Sequence, residues 1–362
     1  MKVPFVDLYA QYLTIKKDID QAIENVIKNS SYIGGGAIVT FEKSFADYLG
    51  ITNVIACANG TDSIEILLQS FGIGKGDEVI VPAASWISTS EAVTTVGAIP
   101  VFVDIEDDYF TIDVSLIEKA ITPKTKAIIP VHLYGHPADM PMIMTIAKKH
   151  SLIVIEDCAQ AHGAAINGQK VGTFGHASSF SFYPGKNLGA YGDAGCMATN
   201  DTTIATKARM IANHGQQGKH NHIMEGRNSR LDGLQAAILS VKLPHLEKWT
   251  EARIKHAATY SSQLRSKNIN IPPTKAGYRH VFHLYVIKTN DRAALKDMLQ
   301  QNDIETAIHY PTALPFLPCY GNRSFKPTDF PVGFACQSKI LSLPMFAELT
   351  IDQIEKVTGA IR

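Results

Sequence analysis

The chain has 362 residues, of which 45% are hydrophobic and 19% are charged, as in ordinary globular proteins. Its 34 lysines and arginines are balanced by 34 aspartates and glutamates. This balance provides no overall field that would attract nucleic acid or an anionic membrane, so we expect neither as a partner.

Apolar residues recur at helical spacing over 9–29 and again over 39–49, which predicts two N-terminal helices. From about residue 53, short apolar runs alternate with helical segments. The runs predict strands over Asn53–Ala58, Glu78–Pro82, Ile99–Asp104, Ala127–Pro130, Leu152–Glu156, Ser178–Tyr183 and Gly195–Thr199. Several runs are apolar at consecutive positions, as in strands buried on both faces. The pattern predicts an α/β fold with a mostly parallel, doubly wound sheet between helices and an active site at the carboxyl ends of the strands.

The C-terminal part of the chain has a different pattern. A long helical stretch over 234–264, with Pro244 inside it, is expected to lead out of the sheet domain. A strand over 281–287 and helices over 292–302 and 352–360 then indicate a smaller α+β domain. The length exceeds one ordinary core, so we predict a large domain over 1–245 and a small one over 246–362.

The start of the chain carries Asp7 and lacks the long apolar core of a signal peptide. No window approaches the roughly 18 apolar residues of a membrane span. The five cysteines are scattered without a Cys-x-x-Cys pair, which is typical of reduced thiols and favours neither disulfides nor a metal site. We therefore predict a cytoplasmic protein without a metal centre.

The segment 179–195, Ser-Phe-Ser-Phe-Tyr-Pro-Gly-Lys-Asn-Leu-Gly-Ala-Tyr-Gly-Asp-Ala-Gly, places Lys186 in a turn rich in glycine and proline. Upstream, an apolar run ends in Glu156-Asp157. Pyridoxal phosphate chemistry requires a lysine amine for a Schiff base and a carboxylate that keeps the pyridine nitrogen protonated. The alternative interpretations are a surface lysine for Lys186 and a helix cap for Asp157.

Two further features have both a structural and a functional interpretation. The segment Asn59-Gly60-Thr61-Asp62-Ser63 joins a strand to a helix, and it is either a simple helix cap or an anion site built from backbone N–H groups and hydroxyls. Trp86 either fills the core or offers a flat indole to a planar ring.

Together these motifs resemble those of the DegT/StrS family of sugar aminotransferases, fold-type I enzymes that aminate keto sugars carried on nucleotides. The resemblance extends from about Val3 to about Pro344. It implies pyridoxal 5'-phosphate as the cofactor and Lys186 and Asp157 as catalytic residues. The implied cofactor contacts are the phosphate with Gly60, Thr61 and Ser181, the ring face with Trp86, and the ring hydroxyl with Gln160. One departure is that Ala194 stands where the family often has glycine.

The resemblance also implies a homodimer with shared active sites. Asn228, in the segment Gly226–Asp232, corresponds to an asparagine that reaches the neighbouring subunit's cofactor phosphate. Arg230 would sit beside it, either gripping a carboxylate or forming an interface salt bridge. His309 and Tyr310, in a His-Tyr-Pro motif, are expected to line the substrate entrance of their own or the neighbouring subunit.

The implied reaction transfers an amino group from L-glutamate to a keto group of a nucleotide-linked hexose, in the synthesis of amino sugars for surface polysaccharide. Segments 214–223 and 228–239 are most similar to members acting on UDP-2-acetamido-2-deoxy-3-oxo-glucuronate, where Arg230 and His309 would bind the carboxylate. The alternative substrate is a dTDP-linked 3-oxo or 4-oxo-6-deoxyhexose. A dehydratase branch of the family has histidine in place of the lysine, which Lys186 argues against. A non-catalytic regulatory protein that binds the cofactor is the alternative from another class.

Overall fold

A computed structural model describes residues 1–267 and 269–361. The helices are α1 Leu8–Lys28, α2 Gly36–Leu49, α3 Gly60–Ser70, α4 Ser88–Thr95, α5 Val114–Ala120, α6 Met140–His150, α7 Thr202–Ala212, α8 Gly233–Lys242, α9 Leu246–Leu264, α10 Arg292–Gln301, α11 Pro331–Lys339 and α12 Ile351–Ala360. The strands are β1 Asn53–Cys57, β2 Glu78–Pro82, β3 Ile99–Val103, β4 Thr125–Ile128, β5 Ile153–Asp157, β6 Ala165–Ile166, β7 Gln169–Lys170, β8 Ala177–Ser181, β9 Gly195–Thr199, β10 Tyr278–Arg279, β11 Tyr285–Lys288 and β12 Ile340–Leu343.

The main sheet has seven strands in the order β1-β9-β8-β5-β4-β2-β3. All its neighbouring strands run parallel except at β9, which pairs antiparallel with both β1 and β8. The predicted α/β fold with a mostly parallel sheet is therefore confirmed. Because the parallel strands end at one edge, the residues that follow β1, β2, β5 and β8 come together there.

Helices cover both faces of this sheet, as the strand composition requires. Along β1, Ile55 packs in a cluster with α3 and α7, whereas Val54 and Ala56 point to the opposite face and pack with α2 and α8. Successive side chains of a strand point to opposite faces, so an uninterrupted apolar run fits only a strand that is covered twice.

The C-terminal elements have their own apolar cluster, formed by α9, α10, α12, β11 and β12 together with Val3 from the N-terminus. The proposed boundary between domains at 245/246 stays a prediction. The strand expected over 281–287 begins only at Tyr285. Upstream of it, Phe282 has a positive φ of 44°, and the N–H groups of Val281 and Leu284 donate to the carbonyls of Gly135 and Tyr134 instead.

Within the described residues, no helix combines the length and the hydrophobicity that a membrane crossing would need.

Candidate active site

A cavity of about 780 Å³ opens at the carboxyl edge of the main sheet. The side chains around it come from the segments after β1, β2, β5 and β8, from the N-terminus and from the C-terminal part. Among the residues that the sequence singled out, those lining the cavity are Gly60, Thr61, Trp86, Asp157, Gln160, Ser181, Lys186, His309 and Tyr310. The fold thus gathers residues that lie up to 250 positions apart in the chain.

Lys186 lies in the turn after β8, where its N–H donates to the carbonyl of Tyr183 at 2.8 Å. The turn is tight: a Cβ on Gly189 would lie 2.2 Å from the carbonyl oxygen of Pro184, so only glycine fits there. Burial lowers the pKa of the Lys186 amine to about 8, and the nearby charge of Asp157 partly opposes that shift. A lysine with such a pKa supplies a useful fraction of neutral, nucleophilic amine near pH 7.

Asp157 is the last residue of β5, and its carboxylate is buried. One oxygen accepts a hydrogen bond from the hydroxyl of Thr89 at 2.9 Å, and the other accepts from the N–H of Ala159 at 3.1 Å. Because the Thr89 hydroxyl donates to Asp157, the Ser85 hydroxyl, 2.8 Å away, donates to Thr89 in turn. This chain fixes the orientation of the carboxylate at the cavity wall.

The N-terminus of α3 faces the cavity and is suited to an anion. The Asn59 side chain caps the helix by accepting from the N–H of Asp62 at 2.8 Å. Within the described part of the chain, the N–H groups of Gly60 and Thr61 donate no hydrogen bond. A Cβ on Gly60 would lie 2.8 Å from the Cβ of Ser181, so the missing side chain is what lets the helix end and Ser181 approach each other.

Gln160 and Tyr310 are joined at the wall of the cavity. The Gln160 carbonyl oxygen accepts from the N–H of Tyr134 at 2.7 Å, and its amide nitrogen donates to the Tyr310 hydroxyl at 3.0 Å. The Trp86 ring lies 5.3 Å from the Tyr310 ring at 45° and is 55% exposed. An indole that is this exposed does not fill the core, which favours the interpretation that its face contacts a bound ring.

His309 lines the cavity formed by its own chain, beside Lys186. Its Nδ1 lies 2.8 Å from the Ser342 hydroxyl, and its ring stacks on Phe5 with centroids 5.6 Å apart. Burial, with a smaller contribution from Lys186, lowers the pKa of His309 to about 4. The imidazole is therefore neutral at pH 7 and can form hydrogen bonds there without supplying charge.

Asn228 and Arg230 do not line this cavity. Asn228 is exposed and forms a backbone bridge with Asn213. The Nε of Arg230 is buried and has no hydrogen-bond partner among the described residues. The contacts expected of these two residues across a dimer interface stay predictions.

Several cavity residues were not identified from the sequence: Phe5, Ser85, Ser88, Thr89, His283 and Met345. Ser85, Ser88 and Thr89 flank Trp86 after β2, and this cluster of hydroxyls at a strand end was a usable signal. Phe5, His283 and Met345 had none, because they come from distant parts of the chain and resemble ordinary core residues.

A second cluster of potential ligands, His132, Glu156 and Cys158, is buried beneath the sheet edge. Glu156 accepts from the N–H groups of Gly172, Phe174 and Gly175 at 2.7–2.8 Å. It also accepts from Nε2 of His132 at 3.0 Å, since Nδ1 of that ring accepts from the N–H of Ala138. Both carboxylate oxygens are already occupied, so this cluster is explained as a structural network.

The donor set of the cavity fits pyridoxal 5'-phosphate. The N–H groups of Gly60 and Thr61, which donate to no described residue, and the hydroxyls of Thr61, Ser88 and Ser181 suit a phosphate. An oriented carboxylate, Asp157, suits a protonated pyridine nitrogen, and Lys186 suits an aldehyde. One cavity therefore offers groups that suit the phosphate, the protonated ring nitrogen and the aldehyde of this cofactor.

Comparison with known proteins agrees with this assignment. A model of the DegT/DnrJ/EryC1/StrS aminotransferase family matches residues 13–362. The chain is 45% identical to a pleiotropic regulatory protein of Geobacillus stearothermophilus, covering 100% of this chain and 98% of the relative. It is 44% identical to a UDP-N-acetyl-3-dehydro-alpha-D-glucosamine 3-aminotransferase of Acidithiobacillus ferrooxidans, covering 99% and 97%.

A UDP-2-acetamido-2-deoxy-3-oxo-D-glucuronate aminotransferase of Pseudomonas aeruginosa is 40% identical, with 99% of each chain covered. Transaminases of dTDP-linked amino sugars match at 40–41% identity. Among solved structures, S. venezuelae DesV in complex with a ketimine intermediate superimposes with a TM-score of 0.98 at 40% identity, covering 100% of this chain and 98% of that one.

Proposed function

The chain belongs to the DegT/DnrJ/EryC1/StrS aminotransferase family, and on that premise we propose that it transfers an amino group from L-glutamate to the 3-oxo group of a UDP-linked 2-acetamido-2-deoxyhexose. The substrate that we propose is the glucuronate, UDP-2-acetamido-2-deoxy-3-oxo-D-glucuronate. The chain is a sugar aminotransferase that depends on pyridoxal 5'-phosphate. The observation that carries the proposal is that Lys186, Asp157 and the start of α3 face one cavity.

The cofactor supplies an electron sink that stabilises negative charge on the carbon next to the transferred nitrogen. In the proposed assignment, Asp157 holds the proton of the ring nitrogen, and Thr89 keeps that carboxylate in place. Gly60, Thr61 and Ser181 bind the phosphate, and Trp86 covers the ring. Gln160 is held by its hydrogen bonds with Tyr134 and Tyr310, and the second hydrogen of its amide nitrogen would be offered to the ring hydroxyl.

Lys186 has two proposed tasks. Its neutral amine would hold the cofactor through the aldehyde, and when it is free, the same amine would serve as the base and acid that moves the proton of the donor's α-carbon. Both tasks require an amine that is neutral near physiological pH, which the lowered pKa of about 8 supports.

The uronate proposal depends on Arg230. Arg230 is partly exposed although its Nε is buried, so its terminal guanidinium nitrogens are the groups that would meet an acceptor supplied by another molecule. In a homodimer that acceptor would be the substrate carboxylate or a group of the second subunit. His309 would add a hydrogen bond without charge, and Tyr310 would close the same side of the entrance.

The first experiment measures the absorption spectrum of the purified protein before and after L-glutamate, beside Lys186→Ala and Lys186→Arg. We expect a visible band in the wild type that glutamate bleaches, and no catalytic bleaching in either variant. A band that glutamate leaves unchanged would contradict the proposed reaction and favour a regulatory protein that binds the cofactor. That result would also be in line with the name of the Geobacillus relative.

The second experiment compares three substrates: the UDP-linked 3-oxo-glucuronate, the matching 3-oxo-glucosamine, and a dTDP-linked 3-oxo-6-deoxyhexose. Arg230→Ala should lower kcat/KM for the glucuronate by about 10- to 100-fold, because a charge-assisted hydrogen bond contributes about 1.5–3 kcal/mol. It should affect the two neutral sugars much less. Equal losses on all three would show that Arg230 does not bind a carboxylate and would remove the argument for the uronate.

A further inference from the structure

Two residues that the proposed reaction does not use connect the lysine turn to the C-terminal part of the chain. Asn187 follows Lys186 directly and is 4% exposed. Its side-chain nitrogen donates to the carbonyl of Val281 at 3.3 Å, and its side-chain oxygen lies 3.1 Å from Nδ1 of His283. His283 itself lines the cavity beside Lys186.

These contacts determine the protonation of the imidazole. A backbone carbonyl only accepts, so the amide NH₂ of Asn187 must face Val281 and its oxygen must face His283. Nδ1 of His283 then carries the hydrogen and donates it. Nε2 is left without a hydrogen and makes no hydrogen bond to the described residues.

The surroundings keep His283 in this form. Burial, followed by the charges of Lys186 and Arg253 and by His309 and His162, lowers the pKa of His283 well below its usual value. Its backbone is also held, since Arg253 donates to the carbonyl oxygens of Phe282 and His283 at 3.3 Å. A neutral ring with a fixed hydrogen at Nδ1 is therefore a permanent donor to Asn187.

We infer that Asn187 and His283 form a positioning pair, in which the Nδ1–H···Oδ1 hydrogen bond between them holds the backbone beside Lys186 and directs its side chain into the cavity. This inference rests on the proposed role of Lys186 as the residue that attaches the cofactor. Neither member of the pair touches the reacting atoms in this assignment. Both act through Lys186.

Substituting His283 by asparagine or by glutamine tests its two ring nitrogens one at a time. The amide of asparagine can place a donor near the position of Nδ1, whereas the amide of glutamine reaches the position of Nε2 and leaves Nδ1 without a substitute. If the pair positions Lys186, His283→Asn should behave like the wild type, and His283→Gln and His283→Leu should not. Asn187→Leu should reproduce the effect of His283→Leu.

The experiment removes the cofactor and measures the rate at which pyridoxal phosphate attaches to the protein again, from the growth of visible absorption, between pH 6 and 10. We expect attachment at pH 7.5 to slow by about 10- to 100-fold in His283→Leu and Asn187→Leu, because a displacement of about 1 Å costs on the order of 10²-fold. The midpoint of the pH–rate profile should also rise in both, since a Lys186 displaced toward water loses part of the burial that lowers its pKa.

Combining the two leucine substitutions should add little to either one, because each already removes the same hydrogen bond. A merely structural role would instead lower the melting temperature and leave the midpoint of the profile unchanged. If His283→Leu does not fold, the comparison of His283→Asn with His283→Gln decides the question on its own.

Equal rates and midpoints in His283→Asn and His283→Gln, or a wild-type midpoint in His283→Leu, would overturn the inference. A wild-type protein that never attaches the cofactor would instead contradict the proposed function. The two failures are thus distinguishable.

Discussion

Gly60 provides a demanding test of the proposed phosphate site, because its substitution has one well-defined steric consequence. A Cβ at this position would lie 2.8 Å from the Cβ of Ser181 and 3.3 Å from its Cα. Carbon atoms pack at about 3.5–4.0 Å, so in Gly60→Ala the helix end and Ser181 must separate by roughly 0.7 Å or more. Those are the two sides of the proposed phosphate cradle.

Two opposing effects set the stability of Gly60→Ala. Alanine reduces the entropy of the unfolded chain, which stabilises the protein by about 0.4–1 kcal/mol. Overpacking against a backbone-anchored Cβ costs about 1–3 kcal/mol. We therefore expect a net loss in the free energy of unfolding of up to about 2.5 kcal/mol, with the clash outweighing the entropic gain.

The effect on the cofactor should be larger than the effect on folding suggests. If the separated cradle must close again to hold the phosphate, the dissociation constant for pyridoxal phosphate should rise about 5- to 150-fold, equivalent to 1–3 kcal/mol. The assay is a titration of cofactor-free protein with pyridoxal phosphate, followed by absorption, beside urea unfolding of the same samples.

Gly185→Ala is the matched control, because Gly185 also lines the cavity but its Cβ would meet Tyr183 at an ordinary 3.7 Å. We expect it to change the dissociation constant by less than about threefold, within the range of ordinary surface substitutions. If Gly60→Ala bound the cofactor as tightly as the wild type and Gly185→Ala, the phosphate would not lie between the start of α3 and Ser181.

The remaining predictions concern Asp157, Lys186 and Glu156. Thr89→Val removes the 2.9 Å hydrogen bond to the buried Asp157 carboxylate without changing the shape of the side chain; urea unfolding should show a loss of about 1.5–3 kcal/mol, and an unchanged stability would contradict this geometry. The pKa of Lys186 is lowered to about 8, and only the neutral amine attacks an aldehyde, so cofactor attachment should speed up about tenfold per pH unit below 8 and level off above it. In the cofactor-free protein this folded-state pKa lies below the unfolded value of 10.5, so Lys186 lowers the free energy of unfolding at neutral pH. The free energy of unfolding should therefore rise between pH 8 and 10.5, and Lys186→Met should flatten that part of the pH profile. Glu156→Gln turns an NH₂ group toward N–H groups that need an acceptor and should lower the free energy of unfolding by roughly 3 kcal/mol. A chelator should leave the stability of the wild type unchanged, because these hydrogen bonds already occupy both carboxylate oxygens.

The amino-acid sequence determined the local features of this protein. The apolar runs predicted each strand of the main sheet to within about two residues, because several of these strands are buried on both faces and are therefore apolar at consecutive positions. The lysine turn was recognisable because Gly189 has no room for a side chain, so its composition is dictated locally. Gly60, Thr61 and Asp157 end or follow predicted strands, where a doubly wound sheet has its active edge. Their cofactor roles came from the family resemblance, because a helix cap explained the same residues equally well.

Tertiary structure decided what joins these local features. Thr89 orients Asp157 and His283 holds Asn187 only because separate strands and a C-terminal segment pack together, and such pairings leave no periodicity in the chain. The first part of the strand expected over 281–287 is not formed, because the N–H groups of Val281 and Leu284 donate to the carbonyls of Gly135 and Tyr134. These distant carbonyls outweigh the local strand propensity. The lowered pKa of Lys186 likewise depends on how completely other segments exclude water, and burial of that kind is a property of the assembled fold.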